Sequence, residues 1–440
     1  MGRIKQIKSL NIWMNGLLVG KWTVGREHSF QYNPDWISSL PARPISLSMP
    51  LTDGNKVYKG PLVEAFFENL LPDSEIIRKR IQSRFGIPSA TAFNLLYEIG
   101  RDCVGSIQLL PENEMPQDLK SIHGETVGTE EIAQTLRSRF DPLRLNQKNQ
   151  EFRISLAGAQ EKTAFLFYNN EWMIPRENTP TTHIFKQAMG IIASGEIDLS
   201  TSVENEWLCE RILHHFGMET ALSRIETFDT EKVLVVKRFD RRLSMDKQWL
   251  MRLPQEDFCQ ALGTSAALKY ESDGGPGIKE ILATLNGSER AEEDRRAFFK
   301  TQILFYLLAA PDGHAKNFSL FLMPGGKFRL TPLYDVLSLY PSLGKKTDQI
   351  HPKRVKMAMS VQSSSGKIYN WDKISRRHWF YTAKVNGISE KSCEKILDEL
   401  INCLPTVVDK VKNEIPEDFP QTVSQSILEG MEKCTDRLKP

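Results

Sequence analysis

The sequence predicts an α+β protein, in which a small β-rich module at the N-terminus precedes a larger unit that begins with strands and ends in helices. Three observations predict this class. Short apolar runs separated by glycine and proline fill residues 13–51. Apolar runs of strand length return in residues 151–239. From residue 240 onwards, apolar residues recur mostly with helical spacing.

The N-terminal module is expected to span residues 1–110. Its strand candidates are Leu17–Val19, Trp22–Val24, Phe30–Tyr32 and Ile45–Leu51. Two helices should follow and pack on this sheet, one over Val63–Leu71 and one over Ser74–Phe85. Asp73 or Ser74 is available to cap the second helix.

The next region contains a linker and then a second set of strands. Residues 111–129 are polar and interrupted by proline and glycine, so we interpret them as a linker. A helix over about Val203–Phe216 should end at Gly217, within a region that spans residues 130–238. The strand candidates of this region are Glu151–Leu156, Thr163–Tyr168, His183–Lys186, Leu222–Phe228 and Lys232–Phe239.

Residues 239–440 should be largely helical. The predicted helical stretches are Gln255–Leu262, Arg295–Ala310 and Ser389–Arg437. The second of these is strongly apolar and runs directly into Pro311-Asp312-Gly313. Two short strands follow, Phe318–Met323 and Lys327–Leu330, and Asp335 comes shortly after them.

Composition excludes several classes of protein. The formal net charge is +2, from 57 basic and 55 acidic residues, so total charge does not select nucleic acid as a partner. The 6 cysteines are scattered without a C-x-x-C pair, which argues against a zinc site or a disulfide framework. The N-terminus lacks the apolar core of a signal peptide, and no apolar run is long enough to span a bilayer. We therefore expect a cytoplasmic protein that has no membrane partner.

Asp312, Asn317 and Asp335 form the constellation that carries chemistry. Phosphoryl transfer needs a base or orienting group for the attacking hydroxyl, ligands for Mg²⁺ and a cation on the ATP phosphates. Asp312 and Asn317 stand in the pattern D-x-x-x-x-N between an apolar helix and a hairpin, which is the spacing of a kinase catalytic loop. Taken singly, Pro-Asp-Gly is an ordinary turn signature and a terminal aspartate is often a cap. The joint arrangement favours phosphotransfer.

A candidate nucleotide loop lies upstream, at residues 155–162. It contains one glycine, Gly158, and matches neither a Walker A motif nor G-x-G-x-x-G. An ordinary hairpin turn with Gly158 at positive φ is the alternative. Lys186 ends an apolar strand pattern, as the phosphate-pairing lysine of a kinase does, although a solvated lysine at a strand edge would give the same pattern.

Longer motifs carry a resemblance to a known family. They are Phe152-Arg153-Ile154-Ser155-Leu156-Ala157-Gly158-Ala159-Gln160-Glu161-Lys162-Thr163, Pro180-Thr181-Thr182-His183-Ile184, Arg238-Phe239-Asp240-Arg241-Arg242, Leu253-Pro254-Gln255-Glu256-Asp257 and Asp312-Gly313-His314-Ala315-Lys316-Asn317-Phe318. Asn69-Leu70-Leu71-Pro72-Asp73-Ser74 and Glu98-Ile99-Gly100-Arg101-Asp102 extend the match into the N-terminal module. Together they resemble HipA, the kinase family of HipA–HipB toxin–antitoxin pairs, over nearly the whole chain.

The resemblance implies a bilobal, eukaryotic-like serine/threonine protein kinase fold after the N-terminal module, with residues 130–238 as the first lobe and residues 239–440 as the helical lobe. It implies that ATP and Mg²⁺ are used, with Asp312 as catalytic base and Asn317 and Asp335 as Mg²⁺ ligands. The remaining ATP-binding residues that it implies are Lys186, His314, the loop residues Ala157, Gly158, Ala159, Gln160, Glu161 and Lys162, and the adenine hinge Lys237, Arg238 and Phe239.

The resemblance also implies regulation and partners. Ser155 would be autophosphorylated with an inhibitory effect, since a phosphate of about −1.5 to −2 charge opposes the phosphates of ATP. The protein substrate would be glutamyl-tRNA synthetase, whose phosphorylation halts translation and promotes dormancy. A HipB-like helix-turn-helix antitoxin would join the chain on operator DNA as corepressor.

Residues 344–377 are locally basic. They contain nine Lys and Arg against two Asp, and Lys373, Arg376 and Arg377 lie between Trp371 and Trp379. Such a mixture of cations and aromatic residues suits contacts with a nucleic-acid backbone. A solvated charged face is the alternative.

Two other functions stay open at this stage. One is a non-catalytic corepressor that bridges antitoxin and DNA, against which the joint presence of Asp312, Asn317, Asp335 and Lys186 argues. The other is a small-molecule or lipid kinase, because such phosphotransferases share the D-x-x-x-x-N spacing. Only the substrate separates that function from protein phosphorylation.

Overall fold

A computed structural model of the chain describes residues 8–138, 155–158, 160, 162–192, 197–346 and 349–440. The strands are β1 (Lys8–Met14), β2 (Leu17–Val24), β3 (His28–Tyr32), β4 (Tyr58–Lys59), β5 (Ile107–Pro111), β6 (Gly124–Thr126), β7 (Lys162–Tyr168), β8 (Glu171–Pro175), β9 (His183–Gln187), β10 (Gly190–Ile192), β11 (Ile197–Leu199), β12 (Ser223–Phe228), β13 (Glu231–Lys237), β14 (Arg241–Leu243), β15 (Leu250–Arg252), β16 (Gln255–Asp257), β17 (Ser319–Leu322), β18 (Phe328–Leu330), β19 (Lys356–Ser363) and β20 (Gly366–Asn370). The helices are α1 (Pro34–Ile37), α2 (Pro61–Glu68), α3 (Glu75–Phe85), α4 (Ala92–Ile99), α5 (Thr129–Ser138), α6 (Ser202–His215), α7 (Phe258–Ala261), α8 (Ile278–Leu285), α9 (Ala291–Leu307), α10 (Arg376–Val385), α11 (Glu390–Glu414) and α12 (Gln421–Thr435).

The chain divides into two compact units. The first unit consists of Met1–Gln187, Glu226–Ala267 and Ser319–Phe328. The second consists of Ala188–Ile225, Leu268–Phe318 and Arg329–Pro440. Within the first unit, the predicted N-terminal module packs together with strands of the predicted first lobe.

The first sheet of the first unit has the strand order β4-β3-β2-β1-β5 and is antiparallel in each strand pair. Its inner face is covered by α2 and α4, whose buried residues join one hydrophobic core. Trp22 of β2 stacks on Phe67 of α2, with ring centroids 3.9 Å apart. Burial of such large aromatic surfaces makes the main contribution to the free energy that holds the helices on the sheet.

The second sheet has the strand order β12-β13-β9-β7-β8-β6. A separate core forms on one of its faces, where α5 packs through Ile132 and Leu136 against Phe185 of β9 and Val233 and Val235 of β13. The strand order differs from the sequence order, because β9 lies between β7 and β13 in the middle of the sheet. This arrangement places the C-terminal ends of β9 and β13 at positions fixed by two neighbours each.

The second unit is mainly helical. Its central element is α9, which is buried on every side from Phe298 to Leu307 and is therefore the core helix. Helix α11 instead buries one stripe of residues, Cys393, Ile396, Leu397, Leu400, Leu404, Val407, Val408 and Val411, which has the 3–4 spacing of an amphipathic helix. Over the described ranges of the chain, no helix is both long and apolar enough to cross a bilayer.

Most predicted helices and strands are confirmed, and two predictions are wrong. Residues Ile45–Leu51 do not form a strand, since only an isolated bridge between Ser46 and Met49 occurs there. The hydroxyls of Ser46 and Ser48 both donate to the carbonyl of Gln260, which holds this segment as a turn.

The predicted helix over Gln255–Leu262 is the second error. Its first three residues form β16, which pairs with β17, and only Phe258–Ala261 is helical. Asp257 caps that short helix with a capping box, so the helix cannot begin before it. The predicted strand Glu151–Leu156 lies mostly outside the described residues. The sequence patterns did not reveal β1, β4, β5, β6, β8, β10, β11, β14, β15, β19 and β20. Of these, β6 lies within the predicted linker, residues 111–129.

Candidate active site

Asp312 and Asn317 lie together in one tight loop of the second unit. The Asn317 side-chain amide donates to the backbone carbonyl of Asp312 over 2.7 Å. The N–H of His314 donates to the same carbonyl over 2.8 Å, and the N–H of Asn317 donates to the carbonyl of His314 over 2.9 Å. These bonds close the loop around the Asp312 backbone, while the Asp312 side chain keeps 63% of its surface exposed.

The sequence explains why the chain turns sharply here. Helix α9 ends at Leu307, and Ala309 takes a left-handed conformation with φ 46° that breaks the helical path. A Cβ at Gly313 would collide with the ring of Phe305, so only glycine permits this approach of loop and helix. The loop is therefore packed tightly on the end of the core helix.

Asp335 lies on a segment that is tied to the same loop. The hydroxyl of Tyr334 donates to the carbonyl of Lys316 over 2.9 Å. Beyond Asp335, the hydroxyl of Ser338 donates to the carbonyl of Leu308, at the end of α9, over 2.6 Å. Asp335 itself has φ 62°, and such left-handed non-glycine residues concentrate at functional sites. The structure thus brings the Asp335 segment to both ends of the predicted catalytic loop.

Asn317 and Asp335 carry oxygen atoms whose chemistry fits a Mg²⁺ ion. Magnesium prefers hard oxygen ligands and keeps several waters, so it needs only one or two carboxylates or amide oxygens from the protein. The Asn317 amide nitrogen is used by the Asp312 carbonyl, and this fixes which end of the amide carries the ligand oxygen. Asn317 Oδ1 and the Asp335 carboxylate are therefore oxygen atoms of the kind that Mg²⁺ prefers.

One residue of this site was not singled out from the sequence. The hydroxyl of Tyr270 donates to Asp312 Oδ1 over 2.6 Å, and its ring meets that of His314 edge-on with centroids 5.0 Å apart. The tyrosine lies 42 residues before the aspartate, so no local spacing could reveal the contact.

The candidate phosphate loop lies in the first unit, where the N-terminal module holds it. Ser155 is fully buried, and its hydroxyl donates to the carbonyl of Leu70 over 2.7 Å. Gly158 forms a parallel bridge with Pro72, and its carbonyl accepts the N–H of Asp73 over 3.0 Å. The predicted loop residues Ala159 and Glu161 lie outside the described residues, whereas Ala157, Gly158, Gln160 and Lys162 lie within them.

Positive charge concentrates beside this loop. Lys162 of β7 lies directly opposite Lys186 of β9, so both side chains stand on the same face of the sheet. A Cβ on Gly158 would lie 2.6 Å from Lys162 Nζ, which shows how closely this ammonium group approaches the loop. Gln160 donates from its side chain to the carbonyl of Gln187 over 2.7 Å and ties the loop to the end of β9. Two cations on one face of the sheet beside this loop favour an anionic ligand such as phosphate.

Of the predicted hinge residues, Lys237 is the last residue of β13, and Arg238 and Phe239 follow it. The guanidinium of Arg238 is buried and bonds to Asp240, Asp102, Thr181 and the carbonyl of Cys103. Its backbone N–H donates to the carbonyl of Thr182. The Arg238 side chain is therefore structural, because its hydrogen-bonding capacity is used inside the protein. Lys237 is exposed and Phe239 is partly buried.

Arg238 belongs to a buried ionic network that also contains Asp102, Asp240, Arg241 and Arg252. Burial by itself raises the pKa of Asp102, but the guanidinium groups of Arg241, Arg238 and Arg252 lower it well below its ordinary value. The network connects the N-terminal module, through Asp102, to the strand end at the predicted hinge.

The basic segment near residue 377 differs from its sequence-based interpretation. Trp371 and Trp379 are buried core residues and offer no stacking surface. The guanidinium of Arg376 donates to Asp398 and to the carbonyl of Leu438, so it holds helices together. Lys373 and Arg377 remain exposed on this face.

Comparison with known proteins adds family information to this geometry. The model of the HipA N-terminal domain matches residues 10–110, and the model of the HipA-like C-terminal domain matches residues 154–408. Among curated proteins, "Putative kinase Y4mE" of Sinorhizobium fredii is 32% identical over 363 residues, which cover 80% of this chain and 83% of the relative. The "Serine/threonine-protein kinase toxin HipA" of Shewanella oneidensis is 28% identical over 347 residues, 75% of each protein.

A solved structure has a similar fold. It is the complex of HipA, HipB and operator DNA from the Shewanella oneidensis toxin–antitoxin system, whose matching chain superposes with a TM-score of 0.79 at 22% identity. The match covers 97% of this chain and 97% of that chain. The α+β architecture, with the β-rich N-terminal module, is that of HipA.

Proposed function

This chain belongs to the HipA family of serine/threonine-protein kinases, and from that premise we propose that it is a Mg-ATP-dependent protein kinase that acts as the toxin of a toxin–antitoxin pair. The observation that carries the proposal is the loop that closes Asp312 and Asn317 around one carbonyl and is hydrogen-bonded to the segment of Asp335. Phosphoryl transfer requires a carboxylate base and oxygen ligands for a metal, and this loop with its neighbouring segment carries two carboxylates and an amide.

In the proposed reaction, Asp312 orients the acceptor hydroxyl and takes its proton. A bond forms between the hydroxyl oxygen and the γ-phosphorus, and the bond from that phosphorus to the β–γ bridging oxygen breaks, which leaves ADP. Mg²⁺, when bound, supplies neutralisation of the phosphate charge. Asn317 and Asp335 are the residues that would hold it. The exposure of the Asp312 carboxylate suits a base that must reach a hydroxyl on another protein.

The first unit supplies the proposed nucleotide-binding residues. Lys186 binds the ATP phosphates, and the loop from Ala157 to Lys162 contacts them through its backbone. Support comes from the positions of two lysines: Lys162 and Lys186 are cross-strand neighbours, and Lys162 Nζ lies close to Gly158. Cations that lie together beside a loop attract an anionic ligand. We propose that Lys237 and Phe239 line the adenine, and that Arg238 acts there only by fixing the strand end.

We also propose that Ser155 is the site of inhibitory autophosphorylation. In this conformation the hydroxyl is buried and bonded to the Leu70 carbonyl, so the loop must leave its place before Ser155 can accept a phosphate. A phosphate at this position could not return to the buried site, because a charged group without a partner is costly to bury. Phosphorylation would therefore keep the loop detached.

The catalytic assignment is tested with γ-labelled ATP and Mg²⁺. Asp312→Ala and Asp335→Ala should each lower phosphate transfer by about 10²- to 10⁴-fold. Asp409→Ala, which removes an exposed carboxylate from α11 in the same unit, is the matched control and should label like the parent. Labelling of both active-site variants at the parent rate would show that the assignment is wrong.

The proposed substrate and partners need separate experiments. Purified glutamyl-tRNA synthetase is the substrate that we propose, and mass spectrometry of treated cell extract would show whether another protein takes the phosphate instead. The relative whose complex contains HipB and operator DNA supports a role with a HipB-like antitoxin as corepressor. In mobility-shift titrations with that antitoxin, Lys373→Ala and Arg377→Ala should each bind operator DNA more weakly. Each lost phosphate contact should also reduce the slope of log K against log salt concentration by about one.

A further inference from the structure

The hydroxyl of Tyr270 donates a 2.6 Å hydrogen bond to Asp312 Oδ1. We propose that Tyr270 is a positioning residue for phosphoryl transfer, which fixes the Asp312 carboxylate so that Oδ2 is presented to the acceptor hydroxyl. The inference rests on the proposed role of Asp312 as the base. It deepens that role, because it names the group that determines which carboxylate oxygen takes the proton.

The loop bonds alone do not fix this carboxylate. His314 and Asn317 hold the carbonyl of Asp312, and so restrain the backbone but not the side chain. The last torsion of an aspartate is broad, and this side chain is largely exposed, so the carboxylate would sample many orientations. The nearest ring nitrogen of His314 is 4.0 Å from Oδ1, beyond hydrogen-bonding distance. Tyr270 is the donor that the described structure aims at this group.

Tyr270 can do this because its own segment is anchored to the catalytic loop. The carbonyl of the preceding residue, Lys269, accepts the N–H of Ala315 over 3.3 Å. The Tyr270 ring packs edge-on against His314. Two residues of the loop, Ala315 and His314, therefore restrain the position of the tyrosine.

The residue after Tyr270 anchors the segment from the other side. Glu271 is buried and accepts the N–H of Ser360 over 2.6 Å and its hydroxyl over 3.0 Å, both on β19. Lys367 of β20 pairs with the same carboxylate over 2.8 Å. Because its neighbours hold the Tyr270 hydroxyl in place, little conformational entropy is lost when this hydroxyl orients the base. Catalytic groups that are preorganised in this way need little rearrangement during the reaction.

Tyr270→Phe removes only the hydroxyl and should lower kcat by about tenfold to a hundredfold, as expected for loss of a hydrogen bond to a charged group. The KM for ATP should stay at the parent value, because the tyrosine contacts the base. Tyr340→Phe is the matched control: it removes a phenol hydroxyl in the same unit that donates to the Leu307 carbonyl over 2.9 Å, away from Asp312.

A double variant separates positioning from a general structural role. If Tyr270 acts through Asp312, Tyr270→Phe should cause no further loss of the residual rate in the Asp312→Ala background. Thermal unfolding of Tyr270→Phe should match that of Tyr340→Phe. These three results together support the inference.

Two results would overturn it. In the first, the kcat of Tyr270→Phe is within twofold of that of Tyr340→Phe while Asp312→Ala is inactive. Asp312 would then keep its role as the base, and Tyr270 would have no role in positioning it. In the other, the full effect of Tyr270→Phe persists in the Asp312→Ala background, so the tyrosine acts elsewhere. Parent-level labelling by Asp312→Ala alone would instead remove the proposed function, and the inference with it.

Discussion

Replacing Asp102 by asparagine is expected to destabilise the first unit strongly, although residue 102 lies outside the proposed catalytic loop. The wild-type network contains three guanidinium groups and two carboxylates, all buried. Asparagine keeps the shape of the side chain but removes one negative charge, so that Arg238, Arg241 and Arg252 face Asp240 alone.

The magnitude follows from burial. Breaking a buried ion pair by removing one partner costs about 3–5 kcal/mol, because the remaining charges are left uncompensated. Asp102 bonds to Arg241 over 2.8 Å and to Arg238 over 3.3 Å, and it also accepts from the hydroxyl of Thr181 over 2.7 Å. For a unit of about 150–250 residues, a loss of this size should lower the Tm by about 6–20 °C.

The assay is thermal and urea unfolding followed by tryptophan fluorescence. The control is Glu114→Gln. It removes the carboxylate from a partly exposed ion pair with Arg101, the residue before Asp102, in which the charged atoms are 2.5 Å apart. It should cost less than about 1 kcal/mol. An Asp102→Asn variant as stable as Glu114→Gln at pH 7 would refute the reasoning.

The pH dependence gives an independent check. Because the arginines hold the pKa of Asp102 below its ordinary value of 3.8, its contribution is present above the pKa of the unfolded chain and is lost as the pH falls through the folded pKa. The difference between parent and Asp102→Asn should therefore be constant from pH 5 to 8. It should narrow only at pH values below about 4.

Three further predictions concern single side chains. Burial raises the pKa of Glu256 to about 8, so between about pH 4.5 and 8 the carboxyl loses its proton when the protein unfolds. The free energy of unfolding should therefore fall with rising pH, by up to about 1.4 kcal/mol per pH unit. Glu256→Gln should remove this pH dependence in urea titrations, and an unchanged dependence would contradict the prediction. Ser155→Asp puts an unpaired charge at a buried position and should weaken ATP binding at least about tenfold relative to Ser155→Ala, measured by calorimetry; equal affinities would show that the loop does not need Ser155 buried. Gly313→Ala drives a methyl group into the Phe305 ring and should cost about 1–3 kcal/mol by overpacking, together with a lower kcat, whereas unchanged stability and rate would show that the loop can move aside.

The local parts of the site could be predicted from the sequence. Asp312 and Asn317 are close in sequence and follow a strongly apolar helix. The hydrogen bonds that join them lie within a segment of six residues, 312–317. Gly158 was expected at positive φ on the turn interpretation, and it has φ 110°. Such features depend on neighbours in the chain, which a single sequence displays.

The contacts between distant residues could not be predicted. Nothing in the sequence separation of Tyr270 and Asp312 indicates that their side chains touch. The basic segment is a second example, because its sequence suggested exposed cations between aromatic residues that could stack on a ligand. In the structure Trp371 and Trp379 are buried and Arg376 is paired with Asp398. A pattern of cations and aromatics does not reveal which side of a helix faces the core, since partner residues come from other parts of the chain.

The N-terminal module holds parts of the first lobe in place through such long-range contacts. It supplies the Leu70 carbonyl to Ser155 and the Pro72–Asp73 backbone to Gly158, and it supplies Asp102 to Arg238. The first set of contacts holds the proposed phosphate loop, and the second holds the strand end proposed for adenine. Both lie in one compact unit with the module, so Ser155, Gly158 and Arg238 would each lose a contact without it. The module is therefore part of the kinase rather than an appended domain, and a partner that displaced the Leu70–Asp73 turn would release the loop and Ser155 together.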